Sequence, residues 1–98
     1  MGQVNIVVTE SAFADLEEIE SYISIDSPAI ARKFISRIFD RIDQLQKYPE
    51  SGKFVPEIPD PFIRELLFNK YRIIYQLKDK TVSVLRVVHG SRLLDLDM

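Results

Sequence analysis

The chain has 98 residues, no cysteine, one histidine and a formal net charge of −2. This composition excludes a disulfide framework, thiol catalysis and a Cys-ligated metal, and it argues against a His-based metal site, so neither metal nor cofactor is expected. The length predicts one domain over residues 1–98, the pI of about 5.3 argues against non-specific nucleic-acid binding, and no apolar run is long enough to predict a membrane span.

The first half of the chain predicts one strand and two helices. Residues 3–8 alternate loosely between apolar and polar, which is typical of a strand. Thr9 or Ser11 can cap a following helix, because a hydroxyl oxygen accepts a hydrogen bond from a first-turn N–H. A second helix over 28–45 begins at Ser27-Pro28, with serine as N-cap and proline at the first helical position.

The connection between the two predicted helices is short, which favours an antiparallel helical hairpin. Tyr48 and Phe39 are expected in the core or at its edge. The residues predicted to pack the hairpin against a sheet recur at helical spacing: Leu16, Ile19, Ile23, Phe34, Ile38, Ile42 and Leu45.

The second half predicts a loop and a meander. Three prolines within residues 55–61 predict an ordered or extended loop. Strands rich in β-branched and aromatic residues follow at 63–68, 71–77 and 81–89. Asn69-Lys70 is a two-residue connection, and asparagine tolerates the positive φ that such a turn requires.

The predicted order β-α-α-β-β-β is typical of an α+β two-layer domain. The helical hairpin packs on one face of a small, mainly antiparallel sheet. If the first strand pairs with the last, the sheet has about four strands and is mixed or antiparallel. The other face is left for water or for a partner. Residues 93–98 form a short tail with room for one helical turn.

Arginines are distributed regularly over the meander. Arg64, Arg72 and Arg86 fall one per strand, and Arg92 follows the last strand. A guanidinium stays charged at any working pH and is costly to bury unpaired. These four side chains therefore either face water, where they can bind a target, or pair with acids.

Ion pairing within the chain is the structural alternative for two of these arginines. Arg64 can pair with Glu65 as part of ordinary cross-strand charge pairing. Arg72, in a central strand, can form a structural ion pair with Glu57 or Asp60. The acidic residues between 15 and 20 are expected to form a solvated helix face.

Five features of the sequence, which follow one another in a characteristic order, resemble those of a known family. The resemblance covers nearly the whole chain. Together they resemble the RelE/ParE superfamily, the toxin halves of bacterial toxin–antitoxin pairs, also called plasmid stabilisation proteins. The style of the motifs is closer to ParE-like members. The features are the element order, Tyr48-Pro49 with Gly52, Arg64-Glu65-Leu66, Tyr71-Arg72-Ile73-Ile74-Tyr75 and Val88-His89-Gly90-Ser91-Arg92.

The resemblance implies the toxin component of a type II toxin–antitoxin system. RelE-like members cut messenger RNA on the ribosome, whereas ParE-like members poison DNA gyrase. Both are neutralised by a small antitoxin, and the pair usually represses its own operon, so operator DNA is expected to be contacted only through the antitoxin. A degenerate member would retain only antitoxin binding and operon repression.

For a RelE-like enzyme, the resemblance implies His89, Arg72 and Arg92 as catalytic residues. The two arginines match family arginines and would stabilise charge at the phosphate, while His89 is the candidate acceptor for the 2′-OH proton. The alternative for His89 is a local hydrogen-bonding residue at a strand end.

Departures from the RelE pattern favour ParE-like inhibition over RNA cleavage. The first meander strand has no lysine, because Ile63 and Glu65 stand where the family places lysines, and Met98 stands where it places a tyrosine. We therefore expect a cytoplasmic, ParE-like toxin that inhibits DNA gyrase by binding rather than by catalysis. Its partners are a cognate antitoxin and gyrase, or the ribosome and mRNA if it is RelE-like. The predicted target-binding residues are Arg64, Arg72, Arg86 and Arg92.

Overall fold

The computed structural model describes residues 4–92 and confirms a two-layer α+β fold. The sheet order is β1-β5-β4-β3-β2, with β1 parallel to β5 and the other pairs antiparallel. No helix in this part of the chain is long and apolar enough to cross a membrane. The elements are β1 (Asn5–Val8), α1 (Glu10–Ser24), α2 (Pro28–Asp43), a short 3-10 helix (Gln44–Gln46), β2 (Lys53–Phe54), β3 (Ile63–Phe68), β4 (Tyr71–Lys78) and β5 (Thr81–His89).

The sheet has five strands, whereas the sequence predicted about four. The additional strand, β2, is only two residues long and pairs Lys53 with Glu65 and Phe54 with Arg64. Two residues are too few to show alternation, so no pattern in the sequence indicates this strand. The predicted parts of the first strand before residue 4, and the tail 93–98, lie outside the described residues.

Two side-chain caps fix the helix starts. Of the two predicted caps for α1, Thr9 is the one used: its Oγ1 accepts from the Ala12 N–H at 3.2 Å. The same hydroxyl donates to the Val84 carbonyl at 2.8 Å and so ties the β1–α1 corner to β5. Ser27 caps α2 as predicted, accepting from the Ile30 N–H at 3.2 Å.

Residues with positive φ form both hairpin turns. Asn69, between β3 and β4, has a φ of 54°, as the sequence predicts. Asp79 and Lys80, between β4 and β5, have φ values of 52° and 60°, so β4 extends through Lys78 and the turn has two residues. Positive φ at both central residues matches the twist of the flanking strands.

The main core lies between the helical hairpin and the sheet. The predicted packing residues are buried or packed against this core, and Ile38, Ile42 and Leu45 are almost fully buried. The prediction for Tyr48 is wrong, because this residue is 63% exposed. Leu45, three residues before it, is fully buried in this core, as is Tyr75 of β4.

A second, smaller core lies on the opposite sheet face. Val55 packs there against Ile63 and Ile74, with Ile58 and Leu85 at its edge. The predicted proline-rich loop, residues 55–61, therefore covers part of the face that the sequence left open. This packing fixes the loop and positions the polar residues described below.

Replacing Ile38 with alanine should lower the free energy of unfolding by about 2–5 kcal/mol, as deletions in a packed core do. Ile38 lies at the centre of the α2 face that packs on the sheet. Chemical denaturation of the full chain measures the loss. The matched control is Ile30→Ala on the exposed side of the same helix, which should change stability by less than about 0.5 kcal/mol. Similar losses in both variants would contradict this core assignment.

Candidate functional site

Arg72 is the centre of a buried ion-pair cluster on the sheet face opposite the helices. Its Nε donates to Glu65 Oε1 at 2.7 Å, and its Nη1 and Nη2 donate to the two carboxylate oxygens of Glu57 at 2.7 and 2.8 Å. Nη1 also donates to the Arg92 carbonyl at 3.1 Å. The Arg72 side chain is 7% exposed. Two carboxylates therefore neutralise this guanidinium, and one backbone carbonyl near the end of the described chain is attached to it.

The local sequence explains this cluster. Glu57 belongs to the loop that Val55 and Ile58 fix on the sheet, whereas Glu65 lies on the neighbouring strand β3. The hydrogen bonding that Arg72 donates to Glu57 is the largest cause of its raised pKa, and burial opposes it. The predicted ion pair with Glu57 is thus confirmed. Asp60, the alternative partner, accepts instead from the Phe62 N–H at 2.8 Å.

Arg86 forms a second ion pair at the junction of β5 and α1. Its Nε and Nη2 donate to Asp15 at 2.7 and 3.0 Å. Asp15 also accepts from the Val87 N–H at 2.9 Å, beyond the point where β1 stops pairing with β5. The Asp15 hydrogen bond raises the pKa of Arg86, against burial. The expected solvated acidic face is therefore wrong for Asp15.

Arg64 has a different environment from the other two strand arginines. Its Nη1 donates to the carbonyls of Glu50 and Gly52 at 3.2 and 2.9 Å, and its guanidinium lies 4.6 Å from the Phe54 ring centroid. Within residues 4–92 no carboxylate forms an ion pair with it. Arg64 is therefore held in place without losing its net charge.

The predicted pairing of Arg64 with Glu65 is wrong. Consecutive residues of a strand point to opposite faces, so these two side chains cannot meet across the sheet. Glu65 contacts Arg72 and, at 3.8 Å, the Nζ of Lys53.

A buried phenol fixes the segment that holds Arg64. Tyr75 donates through its hydroxyl to the Pro49 carbonyl at 2.7 Å and accepts from the Gly52 N–H at 3.0 Å. Burial raises the Tyr75 pKa, which the Gly52 hydrogen bond and the charges of Arg64 and Arg41 partly oppose. Tyr75 thereby sets the position of the Gly52 carbonyl that receives the Arg64 guanidinium.

His89 is exposed at the end of β5 and hydrogen-bonds locally. Its Nδ1 lies 2.8 Å from the Ser91 hydroxyl and accepts from the Ser91 N–H at 3.3 Å. In the neutral ring the hydrogen is therefore assigned to Nε2. The imidazole also makes an edge contact with Tyr71, at 5.8 Å between centroids.

The predicted site residues do not form one cluster. Arg72 meets Arg92 only through the backbone carbonyl of Arg92, while Arg64 and Arg86 lie in separate environments. A cleft of about 630 Å³ lies beside the Arg72 cluster, and another of about 260 Å³ lies between α1 and the end of β5. Their lining includes polar residues that the sequence did not single out for a site: Lys53, Asn69 and Lys70 in the first, and Glu18 and Tyr22 in the second.

The family is decided by comparison with known proteins. The sequence model described as ParE toxin of type II toxin-antitoxin system, parDE, matches residues 6–94. The chain belongs to the ParE toxin family. The superfamily predicted from the sequence, and the closer relation to ParE-like members, are confirmed.

Two relatives of this ParE-family chain are themselves named toxins. It is 35% identical over 89 residues to Toxin RelE2 of Caulobacter vibrioides, which covers 90% of the chain and 97% of that protein. It is 32% identical over 96 residues to Putative toxin Y4kP of Sinorhizobium fredii, covering 94% of each. The chain is the toxin component of a type II toxin–antitoxin system.

A solved structure has the same fold as the ParE-family chain. The chromosomal ParDE TA system from P. aeruginosa gives a TM-score of 0.75 at 23% identity, covering 89% of this chain and 96% of that one. Among the described residues of the present chain, no group of acidic or histidine side chains could hold a metal ion.

Proposed function

We propose that this ParE-family toxin inhibits DNA gyrase by binding it, without catalysing a reaction, and that a cognate antitoxin neutralises it. The observation that carries the proposal is that Arg72 and His89, the two side chains that RNA cleavage would need most, are both engaged in contacts within the chain. Arg72 is buried between two glutamates, and His89 Nδ1 already accepts hydrogen bonds from Ser91.

Cleavage of RNA by attack of the 2′-OH needs a proton acceptor and positive charge at the phosphate. In the neutral tautomer assigned to His89, Nε2 carries the hydrogen, so this atom is a donor and not an acceptor. Phosphate oxygens near Arg72 would also meet the negative charges of Glu57 and Glu65. Both features support binding over catalysis.

The same contacts divide the predicted target-binding arginines into two groups. Arg72 and Arg86 are ion-paired, so we assign them to holding the sheet, the loop and α1 together. Arg64 and Arg92 form no ion pair within residues 4–92. They are therefore the members of the set that we assign to the target, together with the tail 93–98.

The second candidate is a RelE-like ribosome-dependent mRNA endoribonuclease. The 35% identity to a protein named Toxin RelE2 favours it, as does the exposed imidazole of His89 beside Arg92 in the smaller cleft. A degenerate member that keeps only antitoxin binding is the third. For all three, operator DNA is contacted through the antitoxin.

Replacing His89 with alanine should leave most of the growth inhibition intact. A general acid or base contributes typically 10²–10⁴-fold to rate, so a nuclease would lose its effect, whereas an inhibitor by binding would not. Inducible expression in bacteria, scored as colony counts, measures the inhibition, and supercoiling by purified gyrase measures the target. Arg92→Ala and removal of residues 93–98 should each weaken both effects.

Arg92→Ala is the better test of a target contact than Arg72→Ala, because removing Arg72 also takes the guanidinium away from Glu65 and Glu57 and so changes the stability of the chain. Ribosome-dependent cuts in mRNA that disappear in His89→Ala would replace the gyrase proposal with the RelE-like one. If neither growth nor gyrase responds to the wild-type chain, the degenerate alternative stands, and a stable complex with the product of a neighbouring small gene then tests it.

A further inference from the structure

The two helices of the hairpin carry opposite charge. α1 contains five acidic residues and no basic one, whereas α2 contains four basic residues and two acidic ones. The basic residues of α2 are Arg32, Lys33, Arg37 and Arg41. The net charge of −2 is therefore unevenly distributed, and α2 is locally positive although the chain as a whole is acidic. A local concentration of positive charge attracts an anionic partner.

Three of these cations lie in a line along α2. Lys33, Arg37 and Arg41 follow one another at intervals of four residues, so they are neighbours on one face of the helix, with about 6 Å of axial rise between them. Lys33 and Arg37 are exposed, and Arg41 is half-buried. Within residues 4–92 no carboxylate forms an ion pair with any of the three. Like charges at this spacing destabilise a helix, so the line does not serve the stability of α2.

Arg64 continues this line from the helix onto β3. Burial raises the pKa of Tyr75, and the charges of Arg64 and Arg41 are among the influences that oppose it, so both guanidinium groups act on the same hydroxyl. Arg41 also follows Phe34 by seven residues, and Phe34 contacts Phe68 of β3, which places Arg41 on the flank of α2 that faces this strand. Four side chains without an ion pair in the described residues thus form one basic row: Lys33, Arg37, Arg41 and Arg64.

We propose that the basic row binds the sugar–phosphate backbone of the DNA that gyrase holds, so that the toxin contacts both the enzyme and its DNA. The inference rests on the gyrase inhibition proposed above and adds a second partner to it. Lys33 to Arg41 span about 12 Å along the helix axis, and one strand of duplex DNA presents a phosphate about every 3.4 Å over the same length. Three spaced cations therefore meet several phosphates, and Arg64 adds a charged hydrogen-bond donor at the end of the row.

The even spacing of the basic row matches the regular charge of a nucleic-acid backbone. Phosphate contacts orient a protein on DNA but carry no sequence information, so the row does not recognise an operator. This agrees with contact to operator DNA through the antitoxin. The net charge of −2 keeps the affinity for DNA alone low. The contact gains strength where gyrase already holds the DNA, because binding to the enzyme raises the effective concentration of phosphates at the row.

Arg32 supplies a control on the same helix. It precedes Phe39 by seven residues, and Phe39 contacts Phe13 of α1, so Arg32 lies on the flank of α2 that faces the acidic helix. Lys80, exposed in the turn between β4 and β5, is likewise outside the basic row. Replacing Arg32 and Lys80 therefore changes the net charge as much as a double substitution within the row does.

The first test measures binding of the full chain to a short, fluorescently labelled DNA duplex by anisotropy, over a series of salt concentrations. Arg37→Gln with Arg41→Gln should weaken binding about tenfold and reduce the slope of log K against log salt by about 2, because two phosphate contacts are lost. Arg32→Gln with Lys80→Gln should weaken binding less than about threefold and leave the slope unchanged. The losses should be equal for two duplexes of different sequence. Circular dichroism confirms that each variant is folded.

The second test measures supercoiling by purified gyrase. The Arg37→Gln, Arg41→Gln variant should need about fivefold more toxin for half-maximal inhibition, whereas the control variant should match the wild type within about twofold. Weaker inhibition by the row variant with unchanged DNA binding would overturn the inference in favour of an acidic surface of gyrase itself. Tighter binding of an RNA duplex through the same arginines would overturn it in favour of RNA.

The two assays separate this inference from the gyrase proposal. No binding of the wild-type chain to the DNA duplex at low salt, or equal losses in the row and control variants, would overturn the inference. A wild-type chain that inhibits gyrase without binding DNA contradicts the basic row alone. One that binds DNA through the row but leaves gyrase active contradicts the gyrase proposal and leaves the DNA contact standing.

Discussion

Replacing Arg72 with alanine is expected to lower the free energy of unfolding by about 3–5 kcal/mol, the cost of removing one partner from a buried ion pair. Glu65 is 3% exposed and Glu57 is 20% exposed, so neither carboxylate can recover full hydration when the guanidinium is gone. The loop 55–61 and the Arg92 carbonyl lose their hydrogen bonds to Arg72 in the same variant, while the apolar packing of Val55 remains. Chemical denaturation of the purified chain measures the loss.

Arg86→Ala is the matched control for Arg72→Ala. Within residues 4–92, Arg86 has a single carboxylate partner, Asp15, and both side chains are more exposed than the Arg72–Glu65 pair. More exposed pairs are weaker, so we expect a loss of about 1 kcal/mol. In the double variant Arg72→Ala with Glu65→Gln, part of the stability should return, because one uncompensated charge is removed. A loss in Arg72→Ala no greater than in Arg86→Ala would argue against the cluster as a stabilising centre.

The sequence predicts most of the fold because its elements are long enough to show their period. Helical spacing identifies the hairpin, and β-branched runs separated by Asn69-Lys70 identify the meander. The sequence does not indicate β2, because two residues are too few to show the alternation of side chains that is typical of a strand. Tyr48 is misplaced because it lies beyond α2 and the 3-10 helix, where helical spacing no longer indicates which side chains are buried.

The partners of the arginines are harder to predict, for different reasons. A two-residue turn at Asn69-Lys70 pairs Phe68 with Tyr71 and Leu67 with Arg72, so Glu65 falls diagonally opposite Arg72 on one face. This register can be worked out from the sequence. The Arg86 partner cannot, because Asp15 is 71 residues away and reaches β5 only through the parallel pairing of β1.

The Tyr75 contact joins features that the sequence presents separately. Pro49 and Gly52 follow α2, whereas Tyr75 lies in a central strand, yet the phenol hydroxyl bonds to both backbones. The glycine is needed there for space and not for its backbone angle, since no glycine in the described residues has positive φ. The sequence shows that residue 52 is a glycine, but it does not show that the Tyr75 hydroxyl and the Glu65 carbonyl lie against it.

Replacing Gly52 with alanine is therefore expected to be among the most damaging small substitutions in the chain. A Cβ at this position would lie 2.5 Å from the Tyr75 hydroxyl oxygen and 2.8 Å from the Glu65 carbonyl oxygen. Tyr75 is fully buried, so its ring has little room to move. Overpacking and the disturbed hydrogen bonds together should lower the free energy of unfolding by roughly 2–5 kcal/mol, measured by chemical denaturation.

Gly90→Ala is the control for Gly52→Ala, because a Cβ there would meet one close atom, the Lys70 carbonyl oxygen at 3.2 Å, and the residue is exposed, so a small shift relieves the contact. It should cost less than about 1 kcal/mol. A folded Gly52→Ala chain should also inhibit gyrase less than the wild type does, since the Gly52 carbonyl holds in place Arg64, which we assign to the target. Equal stability of the two alanine variants would mean that the segment around Gly52 moves without cost, and Tyr75 would then not be what positions Arg64.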